Sequence, residues 1–107
     1  MARLIWTEPA LTDLEIIADY IALDKPEAAR KYVQRVFESV ARLEQFPNSG
    51  SIPPEMPDLS YRQVVVPPCR IFYRIEKDYV FILYVMRSDQ LFREEILEDR
   101  KKKTIEY

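Results

Sequence analysis

The chain of 107 residues carries 16 Lys and Arg against 18 Asp and Glu, which gives a formal net charge of −2. It contains no His, so Ser-His-Asp and Cys-His catalytic systems and His-based metal sites are excluded. With one Gly it cannot form a Gly-rich phosphate loop or a dinucleotide-binding fingerprint. We therefore predict a single domain over residues 1–107 that uses no metal ion and no cofactor.

Cysteine usage and hydropathy indicate where the protein is found. The single cysteine, Cys69, cannot form an internal disulfide, which agrees with a reducing compartment. No apolar run approaches the length of about 18 residues that a transmembrane helix needs. We predict a cytoplasmic protein without membrane contact.

The first half of the chain predicts a strand followed by two helices. The strand covers residues 2–6, and the first helix begins at Thr7, a suitable N-cap residue. The second helix begins after Asp24, a candidate N-cap, and ends before Pro47. Three acidic residues of the first helix are expected to face solvent: Asp13, Glu15 and Asp19. Because the link between the helices is short, they are predicted to form an antiparallel hairpin.

The second half predicts three strands and a terminal helix. The strand-like runs are YRQVVV (61–66), CRIFYRIE (69–76) and YVFILYVM (79–86). The last run is apolar on both faces, which indicates a central strand that is covered on each side. A C-terminal helix and tail are predicted over 88–107, with Ser88 or Asp89 as N-cap and the basic run LEDRKKK as a solvated helix end.

Together these elements predict an α+β fold. An N-terminal strand is followed by an antiparallel helical hairpin that packs on an antiparallel β-sheet, and a short C-terminal helix follows the sheet. The order of elements contains no repeat and no second domain.

Side chains alternate along the second of the three strands and so divide into two sets. One set is predicted to lie in the core under the helical hairpin: Cys69, which is then an inert thiol, Ile71, Tyr73 and Ile75. The other set contains Arg70, Phe72 and Arg74. If Arg62 joins them, the sheet has an open face of guanidinium groups around aromatic rings, which suits an anionic partner. The alternative is a solvated strand surface on which Arg74 pairs with Glu76 or the following turn.

The stretch from WTEPALTDLEIIADYI to LEQFPNSG resembles the front half of the RelE/ParE family of toxins from bacterial type II toxin–antitoxin systems. The isolated Gly50 after Pro47 belongs to this pattern. The back half, YRQVVVPPCRIFYRIEKDYVFILYVMR, is similar to the strands of the same family. The resemblance covers roughly residues 4–88 and implies the α+β fold predicted above.

The resemblance also implies a function. Such a toxin inhibits growth until a cognate antitoxin binds it in a toxin–antitoxin hetero-oligomer. ParE-like members inhibit DNA gyrase, whereas RelE-like members cut mRNA in the ribosome with Arg, Lys and Tyr side chains of the sheet face. If the chain is such a ribonuclease, its predicted catalytic residues are Arg70, Arg87 and Tyr84. The predicted target- or anion-binding residues are Arg62, Arg70, Phe72, Arg74 and Arg87.

Three departures from the RelE-like pattern favour the ParE-like toxin or an inactive relic over the ribonuclease. The chain is slightly acidic, although phosphate-dominated binding favours a basic protein. The loop SGSIPPEMPDLS contains no base where RelE-like enzymes place catalytic lysines, and the position of a catalytic arginine falls in the apolar VVVPP. We predict gyrase inhibition, with the ribosome-dependent endoribonuclease and an inactive relic that retains antitoxin binding as alternatives. Enzymatic activity stays open at this point.

Overall fold

A computed structural model describes residues 1–57 and 60–105, so residues 106–107 of the predicted tail lie outside it. Its elements are β1 (Arg3–Trp6), α1 (Glu8–Ala22), α2 (Pro26–Ala41), a 3-10 turn (Arg42–Glu44), β2 (Tyr61–Val66), β3 (Cys69–Glu76), β4 (Tyr79–Arg87) and α3 (Glu94–Ile105). This order confirms the predicted α+β fold. Within the described ranges, no helix has the length and apolar character needed to cross a membrane.

The four strands form one sheet in the order β1-β4-β3-β2. β2, β3 and β4 are antiparallel to their neighbours, as predicted. β1, however, pairs in parallel with β4, with Arg3 opposite Tyr79 and Trp6 opposite Ile82. The sheet is therefore mixed. α1 and α2 carry the chain across the sheet, from β1 at one edge to β2 at the other. β4 lies between β1 and β3, so the prediction of an inner strand is confirmed.

Of the two N-cap residues predicted for α1 and α2, the first is confirmed and the second is wrong. Thr7 caps α1, since its Oγ1 accepts a hydrogen bond from the amide of Ala10. The same hydroxyl donates to the carbonyl of Ile82 and so joins the start of α1 to β4. Asp24 does not cap α2: Pro26 is the first helical residue, which makes Lys25 the N-cap, and Lys25 forms no side-chain cap bond.

The main core lies between the sheet and the hairpin formed by α1 and α2. It contains alternate strand residues and one face of each helix, among them Ala10, Leu14, Tyr32, Val36, Val40, Ile71, Tyr73, Val80, Ile82 and Val85. The set predicted for β3 is confirmed, because Cys69, Ile71 and Tyr73 are fully buried and Ile75 packs against them. The hydroxyl of Tyr32 donates to the carbonyl of Val66 at 2.6 Å, which satisfies a polar group inside this core.

A second, smaller core occupies the opposite face of the sheet, beneath α3. It consists of Met56, Tyr61, Phe72, Leu83, Met86 and Leu97. The expectation of an open face is therefore wrong, since Phe72 is 0% exposed. The predicted caps Ser88 and Asp89 are also wrong, because they lie in the turn after β4 and α3 begins only at Glu94.

The pairing of β3 with β4 contains an irregularity that orients side chains. Phe72 pairs with Tyr84, whereas the next residue, Tyr73, pairs with Ile82, so Leu83 has no counterpart on β3. The extra residue turns two consecutive side chains, those of Leu83 and Tyr84, toward the second core. This bulge is what places Tyr84 on the face covered by α3.

Candidate functional site

Arg70 is held by three hydrogen bonds and lies mostly within the protein. Its Nε donates to Oε1 of Gln63 at 2.8 Å, and its two terminal nitrogens donate to the two carboxylate oxygens of Glu55 at 2.8 and 2.7 Å. The guanidinium also lies 4.9 Å from the ring centroid of Phe72 and 5.8 Å from that of Phe92. Only 13% of the side chain is exposed. The Arg70 guanidinium, which was predicted to bind an external anion, therefore binds the carboxylate of Glu55.

Glu55 reaches Arg70 because the loop before β2 is anchored beside it. The next residue, Met56, is 2% exposed and belongs to the second core. Its amide donates to the carbonyl of Pro53, which closes a turn around Glu55. The hydrogen bonds from Arg70 hold the pKa of the Glu55 carboxyl below its usual value. Glu55 is not among the predicted site residues, although an acidic residue among prolines in a loop without Lys or Arg was the available signal.

Tyr84 shares the α3 face with Arg70 but is enclosed by other side chains. Its ring stacks on Phe72 with a centroid separation of 5.8 Å, and the guanidinium of Arg100 lies 4.7 Å from its centroid. Burial raises the pKa of the Tyr84 hydroxyl above its usual value, and the nearby charge of Asp13 adds to this effect. A phenol with a raised pKa is protonated at neutral pH and is a poor general base.

Arg87 lies on the opposite face of the sheet from Arg70. It pairs with Cys69 in the ladder and so points to the side of the helical hairpin. There its guanidinium lies 5.5 Å from the ring centroid of Tyr20 and donates to the carboxylate of Asp89 at 3.1 Å. With 39% of its side chain exposed, Arg87 is accessible, but it does not meet the other two predicted catalytic residues.

The expected cluster of Arg62, Arg70 and Arg74 does not form. Arg62 lies opposite Tyr73 on the hairpin side, where it donates to the backbone carbonyls of Asn48 and Gly50. Arg74 forms an ion pair with Glu76, as the alternative prediction of a solvated strand surface expected. Alternation had left the face of Arg62 undecided, and the register of β2 against β3 decides it. The roles predicted for these arginines in target binding stay predictions.

A model of the family described as ParE toxin of the type II toxin-antitoxin system, parDE, matches residues 4–92 of the chain. The chain belongs to this family. The match confirms the RelE/ParE resemblance seen in the sequence and makes this protein a toxin of a type II toxin–antitoxin system. α3 begins at Glu94, beyond the last residue of the ParE family match.

Named relatives of this ParE-family chain agree with the assignment. Toxin RelE2 of Caulobacter vibrioides is 33% identical over 92 residues, which cover 85% of this chain and 100% of that protein. Putative toxin Y4kP of Sinorhizobium fredii is 40% identical over 90 residues, covering 82% and 90% of the two chains. A solved chain of the chromosomal ParDE TA system from P. aeruginosa superposes with a TM-score of 0.68 at 33% identity, covering 81% of this chain and 96% of that one.

Proposed function

We propose that this ParE-family toxin inhibits growth by binding DNA gyrase, that a cognate antitoxin neutralises it, and that it does not cleave RNA. The observation that carries the proposal is the bidentate contact between Arg70 and Glu55. It leaves the best candidate for phosphate binding already paired with a carboxylate. Arg87, the other candidate cation, lies across the sheet from Arg70.

The chemistry of RNA cleavage explains why this pairing matters. A backbone-cleaving ribonuclease needs a base that activates a 2′-hydroxyl and a cation that stabilises a charged pentacoordinate phosphate. A phosphate that reached Arg70 would have to displace Glu55 from a side chain of which 13% is exposed. Tyr84 offers no base in compensation, because burial raises the pKa of its hydroxyl. Of the predicted catalytic residues on this face of the sheet, Arg70 is therefore not free to bind a phosphate and Tyr84 is not ready to act as a base.

A protein target fits the same features better than a nucleic acid does. The chain carries a net charge of −2, whereas binding to a phosphate backbone depends on an excess of Lys and Arg. The resemblance to ParE-like toxins implies DNA gyrase as this target, and the match to the ParE family supports it. The ParDE system of the structural relative supports a cognate antitoxin as the neutralising partner.

The second candidate function is ribosome-dependent mRNA cleavage. The 33% identity to a curated protein named Toxin RelE2 favours it. In this case Glu55 would have to leave Arg70 when the toxin binds the ribosome, so that the guanidinium becomes available to a phosphate. Replacement of Glu55 would then increase cleavage, whereas the gyrase proposal expects the same substitution to leave the mRNA profile unchanged.

The experiment that tests the proposal is induction of the toxin in bacteria, followed by assays for gyrase-linked DNA breaks and for ribosomal mRNA cleavage. We expect DNA breaks and an unchanged mRNA profile in the wild type and in Glu55→Gln. Arg30→Ala serves as the matched control for Arg70→Ala, because 77% of the Arg30 side chain is exposed. Cleaved mRNA that disappears in Arg70→Ala but persists in Arg30→Ala would establish the ribonuclease instead. Growth without inhibition would indicate the inactive relic.

A further inference from the structure

The row of α3 side chains that faces the sheet becomes polar toward the end of the helix. Leu97 is buried in the second core, and the next positions on the same face of the helix carry Lys101 and Thr104. Neither has the apolar bulk of a leucine, and a cavity of about 340 Å³ lies there between the helix and the sheet. We call this cavity the hairpin pocket, and it is bounded by two residues of α3 and three of β4: Lys101, Thr104, Tyr79, Phe81 and Leu83.

The floor of the hairpin pocket is aromatic and apolar. The rings of Tyr79 and Phe81 stack on each other with a centroid separation of 5.7 Å and an interplanar angle of 19°. Both are half-buried, whereas Leu83 at the inner end is 1% exposed. Small-molecule sites have volumes of about 300–1,000 Å³ and mostly apolar linings. The hairpin pocket therefore has the size and the lining of a site for one small molecule with an aromatic ring.

The rim of the hairpin pocket has an excess of positive charge. Three cations and one anion line it, namely Arg74, Lys77, Lys101 and Glu76. Arg74 and Glu76 form an ion pair and offset each other. Within the described part of the chain, Lys77 and Lys101 belong to no ion pair. The ammonium groups of these two lysines are therefore available to an anionic ligand.

Two further charged residues lie near the outer edge of the hairpin pocket, and they have opposite signs. Asp78 follows Lys77 in the turn between β3 and β4 and is exposed. The guanidinium of Arg3 lies 5.9 Å from the ring centroid of Tyr79. Because these two charges are opposite, they leave the excess of positive charge at the rim in place.

The backbone of Lys77 adopts a conformation that is uncommon for lysine. Its φ is 55°, in the left-handed region that Gly adopts at no steric cost and that Asn tolerates. Non-glycine residues held in this region are found preferentially at ligand sites and switch regions. A lysine at the rim of the pocket, at a position where glycine would fit with less strain, indicates a role for its ammonium group.

We propose that the hairpin pocket binds a nucleoside monophosphate, with the base against Tyr79 and Phe81 and the phosphate at Lys77 and Lys101. Aromatic side chains stack on nucleobases, and ammonium groups form charge-assisted hydrogen bonds with phosphate oxygens. A phosphate monoester carries a charge of about −1.5 to −2 at pH 7, which matches the two lysines better than the single charge of a carboxylate does. The donors are side chains, so the site needs no Gly-rich loop.

The hairpin pocket is separate from the residues predicted for RNA cleavage. Arg70 lies four residues before Arg74 in β3, which corresponds to about 13 Å along the strand. Arg87 lies on the opposite face of the sheet. A longer nucleic acid would extend over a chain with a net charge of −2, which favours a single nucleotide as the occupant. The inference therefore goes beyond growth inhibition and is independent of the target.

The proposal is tested by isothermal titration of the full chain at pH 7 with AMP, adenosine, inorganic phosphate and benzoate. We expect AMP to bind with a Kd below about 1 mM. Adenosine and inorganic phosphate should each bind at least about tenfold more weakly, because each supplies only one part of the ligand. A Kd for AMP above about 1 mM would overturn the proposal. Benzoate that binds as tightly as AMP would overturn it in favour of an aromatic carboxylate.

Two lysine variants test the phosphate contacts. Lys101→Gln and Lys77→Gly should each raise the Kd for AMP by about tenfold, and Lys77→Gly also relieves the strained backbone. Lys102→Gln is the matched control, since it removes the same charge from an exposed neighbouring residue that does not line the pocket. Its Kd should change by less than about twofold. An equal loss in Lys102→Gln, or an unchanged Kd in Lys101→Gln, would overturn the proposal.

Variants of the two rings test the base contact. Phe81→Leu and Tyr79→Leu keep an apolar side chain, and each should raise the Kd for AMP by about tenfold while the affinity for inorganic phosphate stays unchanged. Thermal unfolding identifies the variants that are folded, and the pair provides a second variant if one is unstable. An unchanged Kd for AMP in a folded variant of each ring would overturn the proposed base contact.

Two further observations separate a nucleotide site from a nucleic-acid surface and from the proposed function. A single-stranded RNA of about ten nucleotides that binds more than about tenfold more tightly than AMP would make the hairpin pocket part of a nucleic-acid surface and overturn the inference. Failure of the wild type to produce gyrase-linked breaks would overturn the proposed target, while the AMP titrations would stand unchanged.

Discussion

Asp13 of α1 and Arg100 of α3 form a bidentate ion pair although 87 residues separate them in the chain. The exposed fractions of their side chains are 15% and 19%. Arg100 also donates to the carbonyl of Leu83, and Asp13 accepts from the amide of Val85. β1 ends opposite Ile82, so the pair satisfies the edge of β4 at the point where the neighbouring strand stops.

We expect replacement of either residue of this ion pair to lower the stability of the protein strongly. Replacing Asp13 with Ala leaves the mostly buried Arg100 and the amide of Val85 without their acceptor. We expect the free energy of unfolding to fall by about 2–4 kcal/mol. Urea unfolding measures it, with Lys103→Ala as control because the Lys103–Asp99 pair is 71% and 63% exposed. The control should cost less than about 1 kcal/mol. Similar small losses in both variants would contradict the structural role of the pair.

The contact between Glu55 and Arg70 predicts a pH dependence of stability. The pKa of Glu55 is lower in the folded protein than its ordinary value of 4.5, because Arg70 donates hydrogen bonds to the carboxylate. Its contribution is therefore fully present above about pH 4.5 and is lost as the pH falls through the folded pKa. We expect the stability difference between the wild type and Glu55→Gln to be largest near neutral pH and to shrink in acid. Urea unfolding at a series of pH values tests this, and a difference that grows toward acid would refute it.

We expect any side chain at position 50 to clash with its neighbours and to destabilise the fold. A Cβ there would lie 2.5 Å from Oη of Tyr73 and 2.7 Å from the carbonyl oxygen of Gln63. We expect Gly50→Ala to lower the free energy of unfolding by about 1–3 kcal/mol. Ser49→Ala, at an exposed neighbouring position, is the control and should change it by less than about 0.5 kcal/mol. In a Tyr73→Phe background the cost of Gly50→Ala should be smaller, because one of the crowded atoms is gone.

We expect the thiol of Cys69 to react only when the protein unfolds. It is 0% exposed, and burial raises the pKa of its thiol above the usual value. Since the thiolate is the reactive form, both factors suppress modification of the folded chain. We expect a thiol reagent at about pH 8 to label the native protein slowly and the urea-unfolded protein rapidly. Rapid labelling without denaturant would show that Cys69 is accessible in solution.

Features that depend on neighbouring residues could be predicted from the sequence. The Thr7 cap follows from its position before an amphipathic run, and the burial of Ile71 and Tyr73 follows from strand alternation. The arrangement of the candidate site depends instead on register. Arg62 and Arg70 lie on opposite faces because of how β2 pairs with β3, and periodicity within one strand carries no information about its partner.

Features that join distant segments could not be predicted. Asp13 looks like one of several solvated acids on α1, and only the docking of α3 reveals its partner Arg100. Phe72 looks like part of an open face until Leu97 covers it. The pairing of Arg70 with Glu55 requires a loop to return over the sheet, and its proline-rich sequence does not specify where it lands. The proposed choice between the candidate functions rests on these contacts, so the function is less visible in the sequence than the fold is.

The parallel pairing of β1 with β4 has a consequence for synthesis of the toxin. The first strand of the sheet, Arg3–Trp6, pairs with Tyr79–Ile82, so all the residues between these two segments must be translated before the two can meet. Non-local pairing of this kind delays the completion of a sheet. Until β4 leaves the ribosome, Leu4 and Trp6 have no strand to pair with, and the nascent chain exposes the apolar residues that later line its core. The toxin therefore cannot complete its sheet until β4 has been translated.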